Sequence, residues 1–531
     1  MIQLYHDTAR NLLVYRTDKP EIITQHVPQA KRVNGFVAVP NSLRNCQLLR
    51  LLDVPICNPM AQYDWPIALG RVPCRHQKQM AGFMVSHPRS FNLSDPGTMK
   101  TLAALWSADF IMREYEQRGE ECRALVLAPL SILDDAWRSE IHRNFLSRRT
   151  CSIVYGSAGK RLEKLAEPAD FYLLNYDGLA VGSRVRPIRL GGVSEHIAAR
   201  TDIKIVIIDE ARAYADSTTR RHRLARLTIG ARPFLWLLTG TPTSNGPLDA
   251  YGQAKLVNGA RGLSFTGWKQ ATMMQVSQFK WVPRTGAAEK VKELLSPAIR
   301  FALEDVWDGP EIVTETRTVA LTAQQTKLLR ELRNGFVMQM ASGKQITAIN
   351  EAAVRTKMLQ VAQGAVYDAD HNWHAVDVEP RKNELLSIVY DSPIKILCFV
   401  PLTSVIRLIY HWLDGCKREI INGATPPAER QRIIRSFQDD PQGVRVILAD
   451  PGSLSLGANL FSGRVVLRYG PTDKCEQYIQ GNKRVHRPGQ KYPVRVTRLV
   501  ATPLEREIYR RLEANESLQG AVLKIIKENK L

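Results

Sequence analysis

A chain of 531 residues with 44% apolar and 24% charged side chains is long enough for about two to four domains with real cores, which excludes a fibrous or disordered protein. Its 73 basic against 52 acidic residues leave a charge of +21, so the expected partner is a polyanion, nucleic acid before an anionic membrane surface. No run approaches a transmembrane helix, the opening MIQLYHDTARNLL lacks a signal-peptide core, and no two of the eight cysteines stand at CxxC spacing, so a soluble protein of a reduced, cytoplasmic compartment is expected.

Residues 1–70 carry short strand-like pieces such as 35–39 and a turn signal at Asn41-Ser42, which predicts a small α+β domain whose function is not legible. Residues 73–84 place Met80, Phe83 and Met84 at helical spacing. Gln77 opens that helix; an amide that donates and accepts together suits the edge of adenine, although a lone glutamine is more often plain surface.

A short strand then gives way to Asp95, Pro96, Gly97, Thr98, Met99, Lys100 and Thr101, and an apolar helix follows. That is the layout of a phosphate loop, in which backbone N–H groups and a helix N-terminus hold the phosphates. Lys100 would reach the β- and γ-phosphates and the Thr101 hydroxyl would hold Mg²⁺. Met99 stands where glycine is usual, and a left-handed backbone there would cost about 1–2 kcal/mol more than with glycine.

Strands over 125–128, 151–155 and 171–174 alternate with helical stretches, which predicts a parallel sheet covered on both faces. The organising stretch is 206–242. An apolar β-branched run ends in Asp209 and Glu210, and a second strand over 234–238 runs into Thr239, Gly240, Thr241 and Pro242. Two adjacent acids at the carboxyl end of a parallel strand fit a hydrated divalent cation beside a phosphate. Beyond them lie Arg212, Arg220, Arg221, Arg223 and Arg226, explained equally by a solvated helix face and by phosphate contact.

Residues 255–392 read as a helical insertion and linker, with helices over 322–340 and 348–362. From 393 to the terminal helix the α/β rhythm restarts without a second phosphate loop, so one nucleotide shared by two lobes is expected. There, Arg484 and Arg487 are three apart and share a helical face in RVHRPGQ (484–490), beside His486 and Gln480. Two such guanidiniums can clamp a phosphate and act as arginine fingers; a salt bridge between lobes is the alternative.

With these residues in place, the chain from about 70 to 515 resembles the Swi/Snf-type ATPases of helicase superfamily two, in a compact build most like bacterial or bacteriophage members. RHQ (75–77), SDPGTMKT (94–101), VLAPLSILDDAW (126–137), LLNYDGL (173–179), IIDEAR (207–212) and LTGTPTSN (238–245) fall in the family's order. KMLQVAQGAVYD (357–368), INGATPPAER (421–430), DPGSLSLGANL (450–460) and RVHRPGQ complete them, the last being close to diagnostic.

The resemblance implies two tandem RecA-like lobes, 71–254 and 393–531, and ATP hydrolysis with Mg²⁺ coupled to tracking on duplex or branched DNA without sequence preference, by a monomer and without a membrane. It implies that Lys100 and Thr101 bind phosphate and metal, and that Asp209 holds the metal's water shell. Glu210 would activate the attacking water, and Arg484 and Arg487 would stabilise the transferred phosphoryl group. Residues 95–101, Gln77 and Gly457 would contact nucleotide, while Pro129, Asn175, Thr239, Gly240, Thr241, Asn245, Asn459 and Gln480 would contact DNA or couple the two sites.

The chain departs from the family at Met99, at Arg212 where a histidine is expected, and at Ser455 where a glycine is expected. An active ATPase slowed by Met99 is the expectation. A strand-separating DNA or RNA helicase and a DNA-binding scaffold with a decayed ATPase are the competing readings.

Overall fold

A computed structural model describes residues 2–145, 148–183, 188–278, 281–341, 348–367, 372–391, 393–454 and 459–528. The chain divides into two compact units, Met1–Val306 with Leu518–Leu531, and Trp307–Ser517.

The first unit opens with a four-stranded antiparallel sheet in the order Gln3–Asp7, Leu12–Arg16, Phe36–Pro40, Lys31–Val33. Leu12–Arg16 and Phe36–Pro40 alternate, so Leu13, Tyr15, Val37 and Val39 pack under helix Leu43–Leu51 while their neighbours face outward. Ser42 caps that helix by accepting from the Asn45 amide. The domain is fastened to the helix behind the phosphate loop: the Tyr63 hydroxyl donates to the fully buried Asp109 at 2.6 Å, and Arg149 pairs with the same carboxylate at 2.6 Å.

Behind it stands a seven-stranded sheet in the order Ala298–Ile299, Arg89–Asn92, Phe234–Leu238, Ile203–Ile208, Arg123–Ala128, Phe171–Asn175, Cys151–Val154. Every pairing in it is parallel. The central strands are buried on both faces, which is why they read as unbroken Leu/Ile/Val runs. Parallel strands put all their carboxyl ends on one edge, where ligands of open α/β sheets bind.

The second unit has a six-stranded sheet in the order Ile312–Thr318, Val494–Val500, Gly463–Arg468, Lys395–Phe399, Val446–Ala449, Arg418–Ile421, again wholly parallel. A buried ion pair ties it to the terminal helix: Arg381 meets Glu505 at 2.8 Å with both side chains out of solvent.

The segment 255–392 differs from the helical insertion expected of it. It gives Ala298–Ile299 to the first sheet and Ile312–Thr318 to the second, and it carries hairpins Met273–Gln275/Trp281–Pro283 and Ala365–Tyr367/Trp373–Ala375. The expected boundary at 254 falls inside helix Asp249–Val257, and both sheets take strands from the segment between it and 393. One strand is two residues long, and the other is a largely exposed edge strand reading IVTETRT, so neither makes an apolar run. The cysteines of the described residues are all free, and Cys46, Cys122, Cys398, Cys416 and Cys475 are buried packing residues. No helix of the described residues is long and apolar enough to cross a membrane.

Candidate functional site

On the carboxyl edge of the first sheet, strand Arg89–Asn92 runs into residues 94–99, and helix Lys100–Glu116 follows. The Lys100 ammonium donates to the carbonyls of Ser94 at 2.6 Å and Asp95 at 3.1 Å, so the loop's own oxygens hold the amine that a phosphate would draw out. Thr98 is buried, and its hydroxyl donates to the Asp95 carbonyl at 2.8 Å. Met99 sits at φ 59°, ψ 42°, the left-handed conformation that glycine adopts without penalty, with its side chain 44% exposed. Thr101 follows as the second residue of the helix.

The carboxylate of Asp95 does not face an open loop. Arg300 pairs with it at 2.8 Å and the Leu303 amide donates to it at 3.2 Å, so it pins the loop to the edge-strand segment, and its backbone is what it offers a nucleotide. Gln77 is buried: its Oε1 accepts from the Cys74 amide at 2.9 Å, while its Nε2 has no partner among the described residues. An unspent buried donor next to a phosphate loop is costly unless a ligand takes it up, which fits adenine better than a plain surface role does. Its neighbour His76 reaches the Thr98 carbonyl at 3.2 Å, and burial holds its pKa below the ordinary imidazole range.

Two strands away, Ile203–Ile208 ends in Asp209 and Glu210. Asp209 is buried and accepts from the Trp137 indole N–H at 3.0 Å and from the Glu210 amide at 2.9 Å. Burial pushes its carboxyl pKa up, against the pull of Lys100, whose charge favours the ionised form. Glu210 is left-handed, at φ 45°, and the Tyr176 hydroxyl donates to the Asp209 carbonyl at 2.5 Å, bracing this turn. A buried carboxylate, an acid beside it and a loop that can release an amine form a donor set suited to Mg²⁺ with a polyphosphate.

The TGTP segment leaves the strand between them. Gly240 lies so close to the phosphate loop that a Cβ there would stand 2.6 Å from Pro96 Cδ, so glycine is required by the approach of the two loops. Thr239 is buried, and the hydroxyls of Thr241, Thr243 and Ser244 are buried without a partner among the described residues. Asn245 is exposed, and its amide donates to the Asp249 carboxylate, which also meets Arg212 at 3.4 Å. The arginine that departs from the family pattern thus joins the acidic turn to the helix after TGTPTSN. Pro129 is buried at the end of Arg123–Ala128, and the Asn175 amide oxygen accepts from Arg161 at 3.1 Å.

In the second unit, Asp450 caps its own turn, accepting from the Ser453 amide and hydroxyl at 3.0 Å each. Asn459 is exposed, while Gly457 and Ser455 lie outside the described residues. Arg484 is buried, and burial together with its like charge pushes Arg487 down to about 9. His486, expected to join that clamp, donates its Nε2–H to the Pro310 carbonyl at 2.7 Å. Gln480 is wholly buried and reaches Glu476 at 3.3 Å within its own helix. The final Gln490 donates to the carbonyls of Phe461 and Gly463 at 2.8 Å each, shaping the turn.

Trp137, Tyr176, Arg300 and Asp249 take part in this site without having been assigned roles from sequence. Trp137 and Tyr176 carried a signal, as residues of VLAPLSILDDAW and LLNYDGL.

The family model "SNF2-related domain" matches residues 76–365, and "Helicase conserved C-terminal domain" matches 381–489. A protein of Acyrthosiphon pisum secondary endosymbiont phage 1, "Putative protein p41", is 24% identical over 86% of this chain and 98% of its own length. The mouse "Chromodomain-helicase-DNA-binding protein 1-like" is 23% identical over 75% of this chain, which spans only 44% of that protein. Among solved structures, the "Sulfolobus solfataricus SWI2/SNF2 ATPase core in complex with dsDNA" matches at 20% identity over 88% of this chain and 96% of that one, with a TM-score of 0.39.

Proposed function

We propose, for a chain that belongs to the SNF2-related family and carries that family's helicase C-terminal domain, that it couples ATP hydrolysis to movement along duplex or branched DNA. The observation that carries this is the convergence, on one sheet edge, of the Lys100 loop, the Asp209–Glu210 pair and a TGTP turn packed on Pro96 through Gly240. We take residues up to 306 as the first lobe with its accessory domain, and 307–517 as the second.

Phosphoryl transfer needs positioning and charge stabilisation more than covalent chemistry. Lys100 exchanges the loop carbonyls for phosphate oxygens, and Gln77 donates its unspent N–H to adenine. Thr101 and Asp209 would hold Mg²⁺, which would supply neutralising charge to the phosphates. Glu210 orients the attacking water and takes its proton, while Arg484 and Arg487 carry positive charge to the transferred group. Arg212 and Asp249 pass the state of the acidic turn to the helix after TGTPTSN. The +21 charge supplies a sequence-independent grip on DNA, within a cell's cytoplasm, that weakens steeply as salt rises.

The test is ATP turnover with duplex, single-stranded and forked DNA, wild type beside Glu210→Gln. Duplex or forked DNA should stimulate wild type, and the variant should lose roughly 10²–10⁴-fold in turnover while still binding ATP. Turnover indifferent to DNA would sink the proposal, and absent ATP binding would favour a decayed scaffold.

A further inference from the structure

Between residues 216 and 288 the sequence holds ten Lys and Arg and two acids, Asp216 and Asp249. The Asp249 carboxylate meets Arg212 and the Asn245 amide, and the Asp216 carboxylate accepts from the Thr218 amide and hydroxyl beside Arg223. Three of the cations, Arg223, Arg226 and Lys255, line one open groove of ≈ 610 Å³ between helices Arg220–Ile229 and Asp249–Val257. None of the three forms an ion pair with any described residue.

The rest of the lining suits a phosphodiester chain. Ser217 and Thr218 bring hydroxyls to the wall, and Phe265, 45% exposed, leaves an aromatic face at the rim. Arg223 and Arg226 are one helical turn apart, so both heads emerge on one face, and Lys255 comes from the facing helix. His222, also in the lining, donates to the Gly252 carbonyl at 2.8 Å, and burial keeps its pKa low, so it adds no charge. Asp216 offsets part of the Arg223 charge, and the excess of cations along a low-dielectric cleft still concentrates anions.

We propose that this groove holds the sugar–phosphate backbone of a second nucleic-acid segment, apart from the segments around Pro129 and Asn175 that the family resemblance places on the DNA track. This rests on the chain acting on DNA, as set out above. A branch arm or a neighbouring duplex would be bound here while the first segment is moved.

The test compares wild type with the full-length triple variants Arg223→Glu/Arg226→Glu/Lys255→Glu and Arg223→Gln/Arg226→Gln/Lys255→Gln, the second guarding against misfolding by charge reversal. Binding to a fluorescent forked duplex is measured from low to high salt, and turnover at saturating DNA is measured alongside. Each phosphate contact contributes about 0.9 to the slope of log affinity against log salt, so the variants should be shallower by up to about 2.7, with turnover at saturating DNA retained. An unchanged slope overturns the proposal. So does loss of turnover at saturating DNA, which would put the three residues on the track itself, or weakened binding to phosphatidylserine vesicles with DNA affinity intact. Should wild type itself neither bind nor respond to DNA, the preceding proposal fails first and this one with it.

Discussion

The two parallel sheets have closely similar architecture and carry opposite kinds of charge management. In the first lobe three charged groups of the candidate site have partners from their own chain: Lys100 rests on loop carbonyls, Asp95 on Arg300, and Asp209 on the Trp137 indole and an amide. In the second, Arg484 is buried, and burial together with its like charge lowers the Arg487 pKa, in a turn that Gln490 helps hold in shape. Groups held by partners keep their geometry before a ligand arrives, and like charges set near one another become favourable when an anion does.

The sharpest way to break the comparison is Arg487→Gln. If the guanidinium carries charge to the transferred group, turnover should fall by roughly 10³–10⁵ with folding intact. A fall of less than about ten-fold, near 1.4 kcal/mol, would reduce Arg487 to a packing role and leave the second lobe without its charge function. Steady-state ATPase rates beside a thermal unfolding curve separate the two outcomes.

A smaller effect probes the other side. Trp137→Phe keeps an aromatic ring and removes the indole N–H that Asp209 accepts. A hydrogen bond to a charged group is worth about 1.5–3 kcal/mol, so turnover should drop by about ten-fold or more. The Mg²⁺ concentration for half-maximal nucleotide binding should rise with it, because a misdirected carboxylate holds the ion less well. Lower stability with an unchanged Mg²⁺ requirement would make the indole a structural strut only.

What could be read from the sequence follows the same line between strong local patterns and long-range partners. Strands Phe234–Leu238 and Val494–Val500 and helix Thr403–Trp412 carry enough apolar periodicity to declare themselves. Ile312–Thr318 does not, because an exposed edge strand needs no apolar face, and its sequence reads as part of a helical insertion. The phosphate loop, the acid pair and the TGTP turn were legible because each is a short contiguous pattern. The contacts that shape them were not: Arg300 lies 205 residues from Asp95, and Trp137 lies 72 from Asp209. His486 and Gln480 were placed near the phosphate clamp by sequence proximity, and the fold commits them to the Pro310 carbonyl and to Glu476.

The smallest expected effect concerns Met99, where the sequence raised a condition that the fold meets. Its backbone is left-handed, at φ 59° and ψ 42°, so the penalty of about 1–2 kcal/mol relative to glycine is already present in the free protein. Strain present before and after nucleotide binding weighs on folding and cancels from turnover, unless the loop leaves this conformation during the cycle. Met99→Gly should therefore raise the unfolding free energy by about 1 kcal/mol, somewhat less than the full penalty because glycine also loosens the unfolded chain. Turnover should stay within about three-fold, under 1 kcal/mol. Met99→Ala is the control: it removes the half-exposed side chain and keeps the Cβ, so it should leave stability where it was. Equal stabilisation by glycine and alanine would place the cost in the methionine side chain and not in the backbone. A large gain in turnover with glycine would instead show that this loop moves when ATP is bound or split.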